Sequence, residues 1–576
     1  MNYFGAYHAD IRSRALDSCD APRISKGQMT VAGYETASDA DGMAMVCGRM
    51  RNRRALAREL GCTPYASQAT LALRAYQLWG EDYARHIEGP CMSCVADIRR
   101  DRLLLSRDRM GECCLFFARR GGGLMFADHP DTILKAAFVE PVMDREALCE
   151  LMGLGPARTP GRTPLRGVEA LEPGCMLICD AQGVRRRRYF ELEAREHSDD
   201  ARATAARVRE LLEQAINEVV PLHPACMLSG GVDSTALTAL LCTRIGRVES
   251  FSVDYAENNA DFVPNAFRPE MDAPYISLAA RTFGTRHHSI VLDHESLAEG
   301  LDRAVRLRGF PGMADVDTSL MLFAKEILRF SGTVVSGECG DEVFGGYPWF
   351  RGEVQMPEDS FPWSGSLELR EGILRPEIRE KLRMRDYVRE TMHAALDSYD
   401  VSGVPEGPER TLFLLQRLCF DFFMPNLQER AVKMCEGQGL TVLTPLCDDR
   451  LVQYVYSVPW CIKRMGGVEK GLYREAVSDL LPEKLRMRKK SPYPKTCSAA
   501  YADEIRRRVR AMCADAKAPI WRIADVSAVS ALAASPLNPA DTPWYGQLMA
   551  GPQMLAYLLQ VNGWMRRRSV AVALDF

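Results

Sequence analysis

The hydrophobic pattern of residues 1–190 consists of short apolar runs separated by turns, with few long amphipathic stretches. Apolar runs of this length, bounded by turn residues, are typical of strands. Three of them stand out, at 46–48, 103–108 and 124–127. A longer stretch, 69–79, has the periodicity of a helix. The pattern therefore predicts a first domain over 1–190 that is built mainly from strands.

The pattern changes after residue 200, where apolar strands begin to alternate with helices. Residues 200–219 carry their apolar side chains on one helical face, which predicts an amphipathic helix. Strands that alternate with helices predict a doubly wound parallel sheet, and ligands bind at the carboxyl ends of such strands. A second domain of this α/β class is therefore predicted over 200–576. Its predicted strands are 225–228, 248–254, 286–291 and 333–336.

Composition and charge narrow the class of protein. The chain has 576 residues, 47% hydrophobic and 26% charged, which is typical of a globular protein with two or three domains. A net charge of −3 gives no reason to expect a nucleic-acid or membrane surface. The first residues lack an apolar core of signal-peptide length, and no apolar stretch reaches the length of a membrane span. We therefore expect a cytoplasmic protein with no nucleic-acid or membrane partner, and a homodimer is compatible with the sequence.

The sequence SGGVDS, residues 229–234, joins a predicted strand to a predicted helix. Gly230 and Gly231 allow the backbone to come close to a ligand. The free N–H groups at the helix start, with the nearby hydroxyls, form a binding site for an anion. No Gly-Lys-Ser/Thr follows, so this is not the phosphate loop of P-loop NTPases. The alternative is a glycine-rich turn with a structural role alone; the six-residue pattern favours the anion site.

A second motif follows the predicted strand 333–336. The strand runs into Gly337 and Glu338, and Asp341 lies three residues further on. Two acidic groups at the end of a central parallel strand, facing an anion loop, suit Mg²⁺ coordination and proton transfer. The alternative is an acidic N-cap of a helix.

The two motifs together resemble a known family. SGG-x-D-S resembles the pyrophosphate loop of the ATP pyrophosphatases, which cut ATP between the α and β phosphates. SGGVDS followed by SGECGDEVFGGY, residues 336–347, resembles the asparagine synthetases and their relatives, over about 200–510. The resemblance implies an ATP-pyrophosphatase domain with a helical extension, and it implies ATP and Mg²⁺ as the groups that this domain binds.

The resemblance also implies which residues bind the nucleotide. Leu228 and Val253 would flank the adenine. The pyrophosphate and the neighbouring part of the nucleotide would be held by Ser229, Gly230, Gly231, Asp233, Ser234 and Gly337.

Metal binding and catalysis fall, by the same resemblance, to four residues. Asp233 and Asp341 would bind Mg²⁺. Glu338 would orient or deprotonate the attacking amine. Lys490 would stabilise charge on the acyl-phosphate transition state; its alternative is a surface charge in the basic run 486–490.

The first domain resembles the glutaminase domain of class II amidotransferases, an Ntn-hydrolase-like αββα sandwich, chiefly through residues 103–128. That family needs a cysteine directly after the initiator methionine as nucleophile. Asn2 stands at this position. Cys47-Gly48 aligns with the family's oxyanion Asn-Gly, and Gln68 falls near its substrate-binding carboxylate. With these three groups replaced, we expect a retained scaffold without glutaminase activity.

The segment on the acceptor side also departs from the family. The family pattern places a glutamate and an arginine where this chain has Thr441 and Leu443. If those ionic groups shape or support the family's aspartate pocket, the pocket of this chain is less polar. Aspartate is therefore in doubt as the substrate, while the ATP chemistry is unaffected.

The sequence as a whole predicts an ATP-dependent carbon–nitrogen ligase that activates a carboxylate as an acyl-adenylate and joins it to an amine or ammonia. The ammonia would be free or supplied by a pathway partner. Relatives without the nucleophilic cysteine, the β-lactam synthetases and lasso-peptide cyclases, use an amine of the substrate itself. A divergent enzyme of asparagine biosynthesis and an internal-amide cyclase of natural product biosynthesis therefore both stay open. An ATP-binding pseudoenzyme that scaffolds a pathway is the third alternative.

Overall fold

The computed structural model describes residues 3–7, 23–26, 29–33, 35–136, 139–256, 258, 270–496, 498–537 and 543–574. Asn2 lies outside the described residues. The chain divides into two compact units. The first comprises Met1–Val142 and Thr159–Leu192, and the second comprises Met143–Arg158 and Glu193–Phe576.

The strands of the first unit form two antiparallel sheets within the described residues. One has the order β11-β8-β9-β1-β3-β2 and the other has the order β13-β12-β7-β6-β5-β4. The strands are β1 (Tyr3–Tyr7), β2 (Arg23–Lys26), β3 (Met29–Gly33), β4 (Glu35–Ser38), β5 (Gly42–Gly48), β6 (Cys91–Asp97), β7 (Arg102–Ser106), β8 (Phe116–Arg120), β9 (Gly123–Ala127), β11 (Glu169–Ala170), β12 (Cys175–Asp180) and β13 (Gly183–Arg188), with β10 (Val142–Met143) at the point where the chain leaves the unit.

The core of the first unit lies between these two sheets, where side chains such as Val31, Met45 and Phe126 are fully buried. The helices of this unit are α1 (Arg53–Glu59), α2 (Gln68–Trp79) and α3 (Pro130–Lys135). The first two pack on the sheet that contains β5 and β6, and the third packs on β8 and β9. The predicted αββα sandwich is therefore confirmed.

The arginine run of β13 is paired with carboxylates of the same unit. Arg185 contacts Asp180 at 2.9 Å, and Arg187 pairs with Asp82 at 2.5 Å. Arg186 lies 2.7 Å from Glu172. The run is therefore a neutralised strand surface.

The second unit is built on a parallel sheet of order β16-β15-β14-β17-β18 in its described residues. Ala225 of the middle strand is in register with Glu249 on one side and Val334 on the other. The predicted doubly wound parallel sheet is confirmed, and 441–443 joins it as an edge strand that the pattern did not predict. The strands are β14 (Ala225–Met227), β15 (Glu249–Tyr255), β16 (Arg286–Leu292), β17 (Thr333–Val335) and β18 (Thr441–Leu443), with β19 (Ala571–Val572) near the end of the chain.

Helices connect these strands and then form the extension that the family resemblance implied. Those before β18 are α4 (Arg145–Cys149), α5 (Ala201–Val219), α6 (Val232–Ile245), α7 (Ala273–Phe283), α8 (His294–Glu299), α9 (Leu301–Arg308), α10 (Asp315–Ile327), α11 (Gly340–Phe344), α12 (Leu367–Gly372), α13 (Pro376–Leu382), α14 (Met384–Ser398), α15 (Pro408–Leu418) and α16 (Met424–Glu436). Those after it are α17 (Asp449–Ser457), α18 (Trp460–Lys463), α19 (Gly471–Ala476), α20 (Glu483–Arg486), α21 (Ala499–Ala514), α22 (Val526–Ala534) and α23 (Pro552–Arg568).

Short irregular helical turns complete the second unit. The π turn Cys419–Phe423 joins α15 to α16, so that residues 408–436 form one helical stretch with an extra residue in the middle. Among the described residues, no helix is both long and apolar enough to cross a bilayer.

Candidate active site

The glycine loop leaves the middle strand β14 and starts helix α6 at Val232. Gly230 has φ +73, and a Cβ there would lie 2.8 Å from the Cβ of Tyr275. Only glycine fits this position without strain. Gly231 has φ −74, and a Cβ there would meet only the Ser229 hydroxyl at 3.5 Å. The two glycines thus have different roles: the first allows close packing and the second leaves open space.

Hydroxyl groups hold the loop in shape. The Ser234 hydroxyl accepts a hydrogen bond from the backbone N–H of Ser229 at 3.1 Å and lies 3.0 Å from its Oγ. The Ser234 hydroxyl also donates to the carbonyl of Gly231 at 3.2 Å. The loop is therefore held by its own hydrogen bonds, and the N-terminus of α6 begins beside Gly231.

The acidic motif lies beside the loop, at the end of β17. A Cβ on Gly337 would lie 3.1 Å from the Cβ of Asp233, and one on Gly340 would lie 2.9 Å from the carboxyl carbon of Asp233. These two glycines let the motif pack against the start of α6. The motif thereby brings Asp341 next to Asp233, as the sequence predicted.

Two lysines bind these carboxylates. The Lys470 ammonium is 1% exposed and pairs with Asp233 and, at 2.5 Å, with Asp341. The Lys490 ammonium pairs with the other oxygen of Asp341. Lys470 has φ +57, an uncommon conformation for a residue with a side chain. The site therefore contains two carboxylates and two ammonium groups within direct contact.

The charges shift the pKa values of the site. Burial raises the pKa of Asp341, but the ammonium groups of Lys470 and Lys490 outweigh it and hold the pKa well below its usual range. Burial lowers the pKa of Lys470, and Asp233 and Asp341 reverse the effect, so its pKa is raised. Asp341 and Lys470 are therefore expected to be charged at neutral pH.

The segment that carries Lys490 is anchored on both sides. The Arg488 guanidinium donates to the carbonyl of Ser229 at 2.8 Å, pairs with Asp272 and lies over the ring of Tyr275 at 4.3 Å. The backbone N–H of Lys490 donates to the carboxylate of Glu469 at 3.0 Å. Lys490 is thus held over the loop and is not a free surface charge.

Glu338 occupies a different environment from the two aspartates. Its carboxylate lies 3.5 Å from the Arg430 guanidinium, and its side chain keeps 23% of its surface exposed to the cavity. Burial raises the pKa of Glu338, with Arg430 and Lys490 opposing the shift. A carboxylate with a raised pKa that faces a cavity is suited to accept a proton.

One cavity contains all these groups. It encloses about 1470 Å³, counting the space open to solvent at its mouth. One side is formed by the carboxyl ends of β14 and β15, where Leu228 and Val253 contribute apolar surface. The predicted site residues that line it are Leu228, Ser229, Gly231, Asp233, Ser234, Val253, Gly337, Glu338, Asp341 and Lys490.

Gly230 is the predicted site residue that packs away from the cavity wall, against Tyr275, Ile276 and Arg488. Lys470 and Arg430, in contrast, line the cavity and were not predicted. Their positions depend on the packing of α16 and of the turn before α19, which no local motif in the sequence signals.

In the first unit, Gln68 and Cys47, which align with site residues of the glutaminase family, are packed into the fold. Gln68 is 9% exposed, and its amide accepts a hydrogen bond from the backbone N–H of Met50 and donates to the carbonyl of Gly48 at 3.3 Å. Cys47 is buried in β5 and packs in the core between the two sheets. Gln68 therefore binds the chain's own backbone.

A divalent cation that accompanies a nucleotide fits the two aspartates. Mg²⁺ prefers carboxylate oxygens. One oxygen of Asp233, Oδ1, is buried without a hydrogen-bond partner among the described residues. The side chains of Asp233 and Asp341 thus supply suitable ligands.

A parallel α/β sheet with this loop and these carboxylates at its carboxyl edge defines an α/β protein with a candidate site for an anionic ligand. The family model "Asparagine synthase" matches residues 207–566, and the model "Glutamine amidotransferase domain" matches residues 38–190. The chain is 34% identical to "Asparagine synthetase [glutamine-hydrolyzing] 3" of Bacillus subtilis, over 90% of its own length and 86% of that protein. It is 25% identical to "Amidase chyE" of Penicillium rubens, over 70% of its own length and 60% of that protein.

The chain belongs to the asparagine synthase family. Its first unit carries the amidotransferase-type domain of that family. Membership implies an ATP-dependent ligase, and the family resemblance seen in the sequence is confirmed.

Proposed function

We propose that the chain forms an amide in two steps, with release of pyrophosphate and then of AMP. In the first step a substrate carboxylate oxygen attacks the α-phosphorus of ATP, and the bond from that phosphorus to the oxygen bridging the α and β phosphates breaks. In the second step an amine attacks the acyl carbon, and the bond to the AMP oxygen breaks. The domain at 200–576 carries this chemistry, and the domain at 1–190 is a degenerate glutaminase-like scaffold.

The observation that carries the proposal is the cluster of Asp233, Asp341, Lys470 and Lys490 beside the glycine loop. The open space next to Gly231 at the start of α6 suits a pyrophosphate, because backbone N–H groups and the helix dipole favour an anion there. Lys490 is held against Asp341 next to this space. A cation in that position stabilises the negative charge that develops as the phosphate bond breaks.

Asp233 and Asp341 would hold Mg²⁺. When bound, the ion supplies charge neutralisation for the phosphates. Leu228 and Val253 would contact the adenine, and Ser229, Gly230, Gly231, Ser234 and Gly337 would surround the phosphates.

Glu338 has the properties that the second step needs. The attacking amine must lose a proton, and a carboxylate with a raised pKa accepts it more readily than an ordinary one. The Arg430 guanidinium keeps the carboxylate oriented at 3.5 Å. Glu338 would therefore act as the base for the amine.

The proposal includes the loss of glutaminase activity. Gln68 carries a neutral carboxamide, which cannot pair with an ammonium group as a carboxylate would, and this amide is hydrogen-bonded to the backbone of Met50 and Gly48. Asn2 and Cys47 stand where the family places its nucleophile and its oxyanion donor. The amine would then be free ammonia, the product of a partner, or a group of the substrate. Cytoplasmic location and a homodimer stay predictions.

Exchange of labelled pyrophosphate into ATP tests the first step. The protein, ATP, Mg²⁺ and a panel of carboxylic acids are incubated with labelled pyrophosphate. We expect exchange that depends on an acid, because adenylation is reversible when no amine is present. Asp233→Asn should abolish it, since a carboxamide binds Mg²⁺ far more weakly than a carboxylate. Phosphate as the released product would contradict the proposal.

A further inference from the structure

The cavity continues beyond Glu338 along one face of α16. Phe423, Leu427, Arg430, Ala431 and Cys435 all line it. Four of them recur every four residues, at 423, 427, 431 and 435, and share one helical face. Arg430, beside Ala431, is the one charged side chain among these five.

The opposite walls at this end of the cavity are also apolar. Met313 contributes from the segment before α10, Leu320 and Phe323 contribute from α10 itself, and Leu548 contributes from the loop after residue 543. Phe423 itself packs edge-on against Tyr347 at 5.2 Å and close to Trp363 at 5.0 Å. These walls offer aliphatic and aromatic surface to a ligand.

Arg430 is not free to receive a second carboxylate. Its Nε lies 3.3 Å from Asp317 and its Nη1 lies 3.5 Å from Glu338. Its Nη2 donates to the carbonyl of Val316 at 3.1 Å, and the guanidinium lies over the ring of Tyr493 at 4.6 Å. The guanidinium therefore already lies against two carboxylates and one carbonyl of the chain, while its Nε makes no hydrogen bond within the described residues.

Aspartate would need further charged partners at this end. Besides the carboxylate that reacts, it carries an ammonium and a second carboxylate, and burying either without a partner is unfavourable. Thr441 and Leu443, which replace the family's ionic pair, are absent from the cavity wall, where Val442 of the same strand takes part. Among the described residues, this face therefore offers apolar surface and no uncommitted ion pair.

We propose that the carboxylate substrate is a monocarboxylic acid with a bulky aliphatic or aromatic body, which packs against the face formed by Phe423, Leu427 and Ala431. The proposal rests on the proposed function, because the same cavity supplies the ATP site. Leu427 is only partly buried by the protein, so it has surface left for a ligand. Its neighbours Phe423 and Ala431 are 3% and 2% exposed and form the floor.

Two measurements on a panel of acids test this assignment. The panel contains aspartate, glutamate, 3-phenylpropionate, 4-methylpentanoate and octanoate. The first measurement is acid-dependent pyrophosphate exchange. The second is the shift of Tm that each acid causes in the protein with Mg²⁺ and α,β-methylene-ATP. This analogue cannot transfer AMP to the acid, so the measurement reports binding alone. We expect apolar acids to exceed aspartate by about 100-fold in kcat/KM, and to raise Tm where aspartate does not.

Leu427→Gln makes the test specific for the face. We expect it to lower kcat/KM for the best apolar acid about tenfold, through KM, with KM for ATP unchanged. Leu427→Met keeps an apolar stem of similar size and should lower kcat/KM for that acid less than Leu427→Gln does. Leu328→Gln, a partly exposed position at the end of α10, is the matched control and should behave as the parent protein. Equal Tm values of the variants without ligand exclude a folding defect.

The outcomes separate this inference from the proposed function. Exchange that prefers aspartate or glutamate overturns the inference and leaves adenylation intact. Tm shifts by apolar acids without exchange support the inference and overturn adenylation. If neither class of acid shifts Tm or supports exchange, or if Leu427→Gln leaves kcat/KM unchanged, the assignment of the face is overturned.

Discussion

The charged side chains of the candidate active site are held in place by ion pairs with one another. Lys470 and Lys490 share the carboxylates of Asp233 and Asp341, and the chain contributes these four residues from positions up to about 260 residues apart. Such a cluster in an apolar setting is stabilising only when every charge is paired. The lysines therefore pair with the carboxylates of the site, and in the proposed function they would also provide positive charge for a nucleotide.

Lys490→Met should separate transition-state stabilisation from ATP binding. The substitution keeps much of the stem and removes the charge that faces the breaking phosphate bond. Loss of one such contact in a closed site costs roughly 3–4 kcal/mol, so kcat should fall about 10²–10³-fold while KM for ATP changes only a few-fold. Steady-state kinetics checks this, with Lys489→Met as the neighbouring control. Normal turnover, or loss of ATP binding in proportion to rate, would mean that Lys490 has another role.

The burial of Lys463 leads us to expect that the free energy of unfolding depends on pH in the neutral to alkaline range. Burial lowers the pKa of Lys463 to about 7, with the Glu409 charge opposing the shift, and its ammonium nitrogen lies 2.8 Å from the Gln416 amide oxygen. The unfolded chain has an ordinary lysine pKa of about 10.4. Between these pH values the unfolded state binds more protons, so the contribution of Lys463 to stability rises with pH, and below pH 7 that gain is lost.

Lys463→Met should remove this dependence. Relative to the variant, the free energy of unfolding of the parent protein should rise by up to about 1.4 kcal/mol per pH unit between pH 7 and 10. Urea unfolding at several pH values measures the difference, and Lys325→Met, at an exposed position on α10, is the control. Parallel curves for the parent and Lys463→Met would show that the lysine is not titrating in this range.

At the scale of elements, the loop between β14 and α6 and the helix α16 determine the site. The loop supplies a helix start that suits an anion, and one face of α16 supplies apolar surface to the cavity. The loop contains a left-handed glycine, and α16 directly follows a π turn. These are the positions where small changes in backbone should have large effects.

The two loop glycines make a matched pair of variants. Gly230→Ala places a Cβ 2.8 Å from Tyr275 at a positive φ, so we expect a loss of stability of about 1–3 kcal/mol. Gly231→Ala has room for its Cβ and should change stability by less than about 0.5 kcal/mol. If phosphate oxygens approach Gly231, its variant should still raise KM for ATP at least several-fold. Thermal unfolding and ATP kinetics together test both effects, and an unchanged KM in Gly231→Ala would argue against phosphate contact there.

The sequence predicted most of these elements, and its misses have physical causes. Helix 69–79 appears as Gln68–Trp79, because its apolar periodicity is long and continuous, and strand 286–291 appears as Arg286–Leu292. The edge strand 441–443 was missed although β14 and β17 are equally short, because no glycine or acidic motif follows it to mark the end of a strand. Lys470 and Arg430 were missed because their role arises from tertiary packing, and neither lies in a motif.

At the scale of the whole molecule, the chain combines an amidotransferase-type unit with a synthetase-type unit, yet the first is proposed to be inactive. Its αββα core is intact, with the interior of both sheets buried. A scaffold can be retained after its chemistry is lost, because folding depends on the core and catalysis depends on a few polar groups.

Glutamine should therefore not serve as the nitrogen donor. Gln68 is held by the backbone of Gly48 and Met50. We expect glutamate release at the level of a no-enzyme control, under conditions in which an ammonium salt or an amine supports amide formation. Asn2→Cys alone should not restore the activity, because Cys47 and Gln68 also depart from the family. Glutamate release at a rate comparable with amide formation would contradict this expectation.

The central claim is that the carboxylate is activated by attack on the α-phosphorus of ATP. The most direct measurement uses the best acid of the panel with both carboxylate oxygens replaced by ¹⁸O, together with ATP, Mg²⁺ and an amine. One carboxylate oxygen forms the bond to phosphorus and stays with it when the amide forms. The account predicts AMP that carries one ¹⁸O and pyrophosphate that carries none, as read by mass spectrometry. Formation of ADP, or AMP without the label, would contradict it.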